Sequence, residues 1–251
     1  MTGLDIQPAG AVVRVTLNRP EKRNAIDDAT RAALTETFAA LDRDATVRCV
    51  VLTGAGSAFC AGSDLSGQPA GVPAADRPRL VAPFEQFAKP IVAAVNGAAV
   101  GGGLEIVLLC DVRIAAHTAR FGLPEVRVGS LPGSGGTQRL PLAVGPALAA
   151  QMLLTGEPIS AERALSAGLV SELCAPEVLL DRAMALANTI SGNAPLSIVA
   201  AKRALRAATD SQIQAGLDLE RRLFNELMQT EDRQEGRQAF RERRPPVFKG
   251  R

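Results

Sequence analysis

A mixed α/β core followed by a helical C-terminal region is the architecture this sequence predicts, on three observations. Strand-like and helix-like segments alternate up to about residue 132, and beyond it the pattern is helical, with segments separated by Gly and Pro. The third is composition: 251 residues, 47% of them apolar and 22% charged, make an ordinary packed chain. At that length roughly 70–75% of the surface of the unfolded chain can be buried. The apolar share excludes disorder, and 23 Gly with 16 Pro are too few for a low-complexity or collagen-like sequence.

The elements follow in order. Val13-Arg14-Val15-Thr16-Leu17 alternates apolar and polar residues as a half-buried strand does, and Asn18-Arg19-Pro20 turns the chain. Asp27 is placed to cap a helix running to about Asp44, in which Leu34, Phe38 and Leu41 share one face. Residues 47–53 form a Val-rich strand ended by Gly54-Ala55-Gly56, and 66–78, with several Pro, Gly and Ala, read as a mobile loop. Residues 91–95 are a short buried strand, 103–109 a short helix and 112–115 another strand. Helices are then expected near 137–154, 160–167, 177–191, 195–208 and 211–240.

Composition also excludes chemistries. With one histidine no His cluster can bind zinc, and His117, in a polar stretch with no G-x-S-x-G elbow in the chain, reads as an exposed structural residue. Cys49, Cys60, Cys110 and Cys174 form no C-x-x-C pair, so they read as reduced, buried thiols of a cytoplasmic protein. The start, with Asp5 where a secretory signal carries basic residues, does not look like a targeting segment. The apolar stretch 90–110 contains Asn96, four glycines and Glu105, which suits a buried strand-turn-helix rather than a membrane span. Residues 233–251 carry seven basic groups and two acids against a whole-chain charge of +2. With little aromatic interleaving this is a solvated helix end or a contact to an anionic small molecule rather than a nucleic-acid tail.

Neither glycine-rich segment fits a nucleotide loop: Gly101-Gly102-Gly103 lacks the Lys-Ser/Thr of a Walker motif, and 133–136 lacks dinucleotide spacing. Gly101-Gly102-Gly103 instead precedes an apolar helix, where backbone N–H groups without intrahelical partners suit a developing negative charge. Half an oxyanion hole is one meaning; tight strand-helix packing is the other. Glu105 sits two residues on among Leu104, Ile106 and Val107, and Glu125 follows Phe121-Gly122-Leu123-Pro124. A carboxylate in such surroundings must be paired, protonated or functional, and two of them could divide acid and base duties. Ion pairing with Arg113 or Arg127 is the structural alternative.

Five segments together resemble the crotonase, or enoyl-CoA hydratase/isomerase, superfamily. They are Leu17-Asn18-Arg19-Pro20 with Asn24-Ala25; Ala58-Phe59-Cys60-Ala61-Gly62-Ser63-Asp64-Leu65; Lys89 to Gly97 with Gly101-Gly102-Gly103-Leu104-Glu105; Phe121 to Glu125; and Leu131 to Leu140. Leu154-Thr155-Gly156 and Ala167-Gly168-Leu169-Val170 continue the match. The resemblance implies a crotonase-like spiral of ββα repeats over residues 1–194 and a C-terminal helical oligomerisation region over 195–251, forming homotrimers often paired into hexamers. It implies an acyl-CoA thioester substrate, with coenzyme A part of that substrate, no separate cofactor, no metal, no nucleic acid and no membrane.

By the same resemblance the backbone N–H groups of Ser63 and Gly102 hold the thioester oxygen, and Glu105 and Glu125 position water for addition across a trans-2-enoyl-CoA, Glu125 giving the proton to Cα. Lys22, Arg23, Ala25, Ala61, Ser63, Asp64, Leu65 and Gly102 fall where the family contacts coenzyme A and substrate, with Phe248 and Lys249 in a tail that covers the adenine end. Retention of both glutamates favours a hydratase over a Δ3,Δ2-enoyl-CoA isomerase, and over a non-catalytic acyl-CoA-binding or scaffold subunit, which needs no costly buried acids.

Overall fold

A computed structural model describes residues 3–64 and 79–251. The chain opens on an antiparallel hairpin, β1 (Leu4–Ala9) and β2 (Val12–Leu17), followed by helix α1 (Asp28–Arg43). Asp27 caps α1 as its sequence position predicts, its carboxylate accepting from the Thr30 N–H at 2.8 Å, and Leu34 and Phe38 are buried. β1 was not expected, because its outer half is exposed and includes Pro8, so it carries little of the patterning that marks a buried strand.

Three pairs of strands then repeat one plan: β3 (Cys49–Gly54) with β4 (Ala58–Cys60), β5 (Ile91–Val95) with β6 (Ala98–Val100), and β7 (Val112–Ala116) with β8 (Arg120–Gly122). The first strand of each pair joins a six-stranded sheet of order β1-β2-β3-β5-β7-β10, and the second joins a four-stranded sheet of order β4-β6-β8-β9. From β2 to β10 the large sheet is parallel, so successive strands are linked by crossovers. Short helices α2 (Ala82–Gln86) and α3 (Gly102–Val107) follow the first two pairs, giving the spiral of ββα units. β3 and β5 are buried on both faces, which accounts for their unbroken Val, Leu, Ile and Ala runs. Between the sheets lies a core centred on Phe38, whose ring meets Phe84 at 4.6 Å and Phe87 at 5.0 Å.

The remainder is mostly helical: α4 (Gly136–Val144), α5 (Pro146–Thr155), β9 (Ile159–Ser160), α6 (Ala161–Ser166), β10 (Glu172–Cys174), α7 (Leu179–Ser191), α8 (Pro195–Leu227) and α9 (Glu231–Glu242). Two boundaries differ from expectation. The helix expected over 137–154 divides at Gly145, where φ is +79° and Pro146 starts the next helix. The break expected near 209 is absent: α8 runs through it for 33 residues and ends instead before Thr230, whose hydroxyl caps α9 by accepting from the Arg233 N–H. α8 is tied to the core by buried Lys202, which donates to Asp111 at 2.7 Å, and by Arg206, which donates to the carbonyls of Phe84 and Glu85. Among the described residues no helix is long and apolar enough to cross a membrane, and the 90–110 stretch is β5, β6 and α3. The loop expected over 66–78 lies outside the described residues.

Candidate active site

Residues 61–64 are zipped to 23–26 as a short parallel bridge. Ala61 N–H donates to Arg23, Ile26 N–H to Gly62 and Asp64 N–H to Ile26, while Arg19 pairs with Asp27 and Asp64 at 3.2 and 3.3 Å. In such a bridge alternate amides face opposite ways, so Asp64 N–H is consumed and Ser63 N–H points away from residue 26. Gly102 N–H is the first of α3 and has no intrahelical acceptor. Neither amide donates to another described residue. They are neighbours: a Cβ built on Gly102 would lie 3.7 Å from the Ser63 nitrogen. Gly101 makes this approach possible with φ +57° and ψ −129°, a conformation closed to side-chain-bearing residues.

Glu105, one turn into α3, is 4% exposed. Its Oε1 accepts from the Ser134 N–H at 2.7 Å and the Gly136 N–H at 2.9 Å. Burial, followed by the charge of Glu220, raises its pKa to about 7 against the opposing pull of those two amides. Glu125 begins a 3-10 turn, Glu125–Val128, after β8. Its Oε2 is shut from solvent and has no hydrogen-bond partner. Burial, then the Glu105 charge, raises its pKa to about 8. The two acids differ in degree: Glu105 is held by two amides of another segment that favour its anion, whereas Glu125 has its own backbone N–H and a buried Oε2 without a partner among the described residues. Arg113 and Arg127 pair with neither, since Arg113 donates to the Leu169 and Cys110 carbonyls and Arg127 faces Glu157.

One cavity of about 570 Å³ is lined by Glu105, Glu125, Ser63, Gly102, Ala61 and Arg23 together, with Leu80, Pro124 and Leu131 as apolar wall and Arg233, Phe240, Arg244 and Pro246 closing it from α9 and the tail. That brings both acids and both amides to one space of ligand-site size. Lys22, Ala25 and Asp64 are not on the cavity wall; Lys22 is exposed, and Asp64 serves Arg19. Phe248 and Lys249 also lie off it: the Lys249 amide is held by Asp232, and the tail reaches the cavity through Pro246 instead. Leu65 lies outside the described residues.

Glu220 was not anticipated. From α8 it accepts the Gly135 N–H at 2.7 Å and the Thr137 N–H at 3.0 Å, and it also binds the Thr137 hydroxyl. Leu219-Glu220-Arg221-Arg222 reads as a solvated helix face, and no local signal marks its burial. His117 is exposed, and all four cysteines are free and buried, burial pushing the Cys49, Cys60 and Cys110 thiols up to about 12. Among the described residues no group of three or more His, Cys, Asp or Glu could hold a metal ion.

The family model described as Enoyl-CoA hydratase/isomerase matches residues 7–251. The chain is 45% identical to 2,3-dehydroadipyl-CoA hydratase of Escherichia coli K12, over 100% of both chains. It is 46% identical to (E)-benzylidenesuccinyl-CoA hydratase of Thauera aromatica, over 98% of both. A crystal structure of an enoyl-CoA hydratase/isomerase from Pseudoalteromonas atlantica T6c superposes with a TM-score of 0.92 at 35% identity, covering 98% of this chain and 100% of that one.

Proposed function

The chain belongs to the enoyl-CoA hydratase/isomerase family, and from that premise we propose that it is a hydro-lyase adding water reversibly across the 2,3 double bond of a trans-2-enoyl-CoA. The observation that carries this reading is the unequal pair of acids facing one cavity with two free amides. Ser63 and Gly102 N–H groups would take the thioester oxygen, where negative charge develops as the β-carbon is attacked; preorganised donors there contribute several kcal/mol. Burial and mutual repulsion keep the pair from ionising fully near neutral pH. Glu105, supported by the Ser134 and Gly136 amides, is the member better suited to ionise; Glu125, with one carboxyl oxygen buried and unpartnered among the described residues, is better suited to keep the proton.

The step then balances. Water attacks Cβ and gives a proton to Glu105, its oxygen staying on Cβ as the 3-hydroxyl; the enolate collapses, and Cα takes the proton of Glu125. Reversal dehydrates the 3-hydroxyacyl-CoA. Arg23 at the cavity wall is suited to a coenzyme A phosphate, and the four buried thiols suit a reducing cytoplasm.

Two of the relatives are named for acyl groups derived from adipic and succinic acid, which supports a substrate range wider than simple fatty chains. We assign residues 195–251 to oligomerisation, as a trimer or a pair of trimers. Leu205, Leu219 and Leu223 support it, exposed on one face of α8. Light scattering of the purified protein tests that assignment: a monomer removes it.

The activity is tested by incubating the protein with a trans-2-enoyl-CoA and following the absorbance of the conjugated thioester. Hydration removes the absorbance. An isomerase would leave it and generate it from a 3-enoyl-CoA, and a scaffold subunit would bind without either change.

A further inference from the structure

Arg233 is 7% exposed, lines the cavity, and has no carboxylate within ion-pair distance among the described residues. Its Nη1 donates to the Val128 carbonyl at 2.9 Å, and its Nε is buried without a partner. Burial, and then the like charge of Arg237 one turn on, pull its pKa down to about 10; Glu125 opposes them. Arg233 is therefore charged at neutral pH, whereas Glu125, raised to about 8, is mostly protonated there. A buried guanidinium without an ionised partner is destabilising. Tethering α9 to the Glu125 turn does not require that cost, because Gly236 already packs so closely that a Cβ there would lie 2.5 Å from the Val128 carbonyl carbon. Among the described residues nothing meets this charge, and the cavity that Arg233 lines has room for an anion to do so.

The position of that anion follows from Glu125. A group bound beside an acid that protonates Cα is near the acyl carbons, whereas the coenzyme A phosphates are separated from the thioester by the length of the pantetheine arm. A planar guanidinium fork matches a carboxylate. We infer that Arg233 receives a carboxylate carried by the acyl group beyond the reacting double bond, so that the substrates are enoyl-CoA thioesters of dicarboxylic acids. This rests on the hydratase reading above.

Two six-carbon substrates isolate the contact: trans-2-hexenoyl-CoA and 2,3-dehydroadipyl-CoA, which differ in the terminal carboxylate. The full-length protein is expected to hydrate the dicarboxylic thioester with kcat/KM at least ~10-fold higher. Arg233→Met should bring that ratio to about one, with Arg233→Lys in between. The ratio is the readout, because removing a cation beside Glu125 alters the titration of that acid for both substrates alike. Binding of saturated adipyl-CoA against hexanoyl-CoA, by calorimetry, reads the same preference without turnover and serves any variant with impaired chemistry. Hydration of both substrates at equal efficiency, or a preference untouched in Arg233→Met, overturns the assignment and leaves the hydratase reading standing. Hydration of neither removes that reading and the inference with it.

Discussion

Glu105 and Glu220 divide four consecutive amides between them. Glu105 accepts from residues 134 and 136, and Glu220 from residues 135 and 137. The turn that opens α4 is thus gripped by one carboxylate from α3 and one from α8, and the long C-terminal helix fixes the orientation of an acid in the core. The two carboxylates also repel, which contributes to the raised pKa of Glu105.

Glu220→Gln should therefore act on Glu105 without touching substrate. An amide has one acceptor oxygen where the carboxylate has two, so either the Gly135 or the Thr137 N–H loses its partner, at a cost of about 1–3 kcal/mol in urea unfolding. With the Glu220 charge gone, the acid limb of the kcat/KM profile should move to lower pH. An acid limb that stays in place would show that the two carboxylates are not coupled.

The two cavity acids are expected to work as a unit. Glu105→Gln and Glu125→Gln should each lower kcat by roughly 10²–10⁴-fold with little change in KM, and the double variant should fall far short of the product of the two losses. Steady-state kinetics on the four proteins measures this. Multiplicative losses would mean that the acids serve separate steps.

Raised carboxylate pKa values make a signed statement about stability. Both glutamates ionise near pH 4.5 in the unfolded chain but at about 7 and about 8 in the fold. Below pH 4.5 both states carry the protons and nothing is lost. As pH rises the unfolded state ionises first, so the native state loses stability up to the folded pKa values and levels off above them. Glu125→Gln removes its share of this loss. Relative to wild type it should gain stability between pH 5 and pH 8.5, on the order of 2–4 kcal/mol, as read by urea unfolding at the two pH values. The rate profile of the wild type should peak between about 7 and 8. A gain independent of pH would place the origin of the effect in packing.

The core acids and amides were legible because each breaks a local pattern. Glu105 interrupts an apolar helix, Glu125 follows an apolar strand, and three successive glycines open α3 where a side chain would close the backbone approach. β5 and the Asp27 cap were legible for the opposite reason, since local patterning and tertiary burial agree there. Glu220 and Arg233 were not. Each lies in a run of charges, that of Arg233 open to either solvent or an anionic small molecule, and each is buried by a segment 83 or more residues away in the chain, the turn at 134–137 and the Val128 carbonyl. The break expected near 209 is overridden because α8 continues through it as one helix to Leu227. The tail that carries Phe248 and Lys249 is turned along α9 by the Val247 and Lys249 N–H groups, which donate to Glu235 and Asp232.

The remaining prediction isolates a backbone donor. Gly102→Ala keeps the amide but puts a methyl 2.5 Å from Leu80 Cδ2, the movable end of a flexible side chain, so the fold should survive with a modest rise in KM. Gly102→Pro removes the N–H and sets the ring Cδ in its place, at the first position of a helix where proline is tolerated and no intrahelical bond is lost. The comparison of Pro with Ala then measures the loss of access to this donor, beyond the effect of a Cβ. Losing one oxyanion donor should lower kcat by about 10²–10³-fold between the two variants. Circular dichroism should show the same helix content in both. If the two variants turn over equally, the thioester oxygen does not sit against this amide, and the pairing of Ser63 with Gly102 has another purpose.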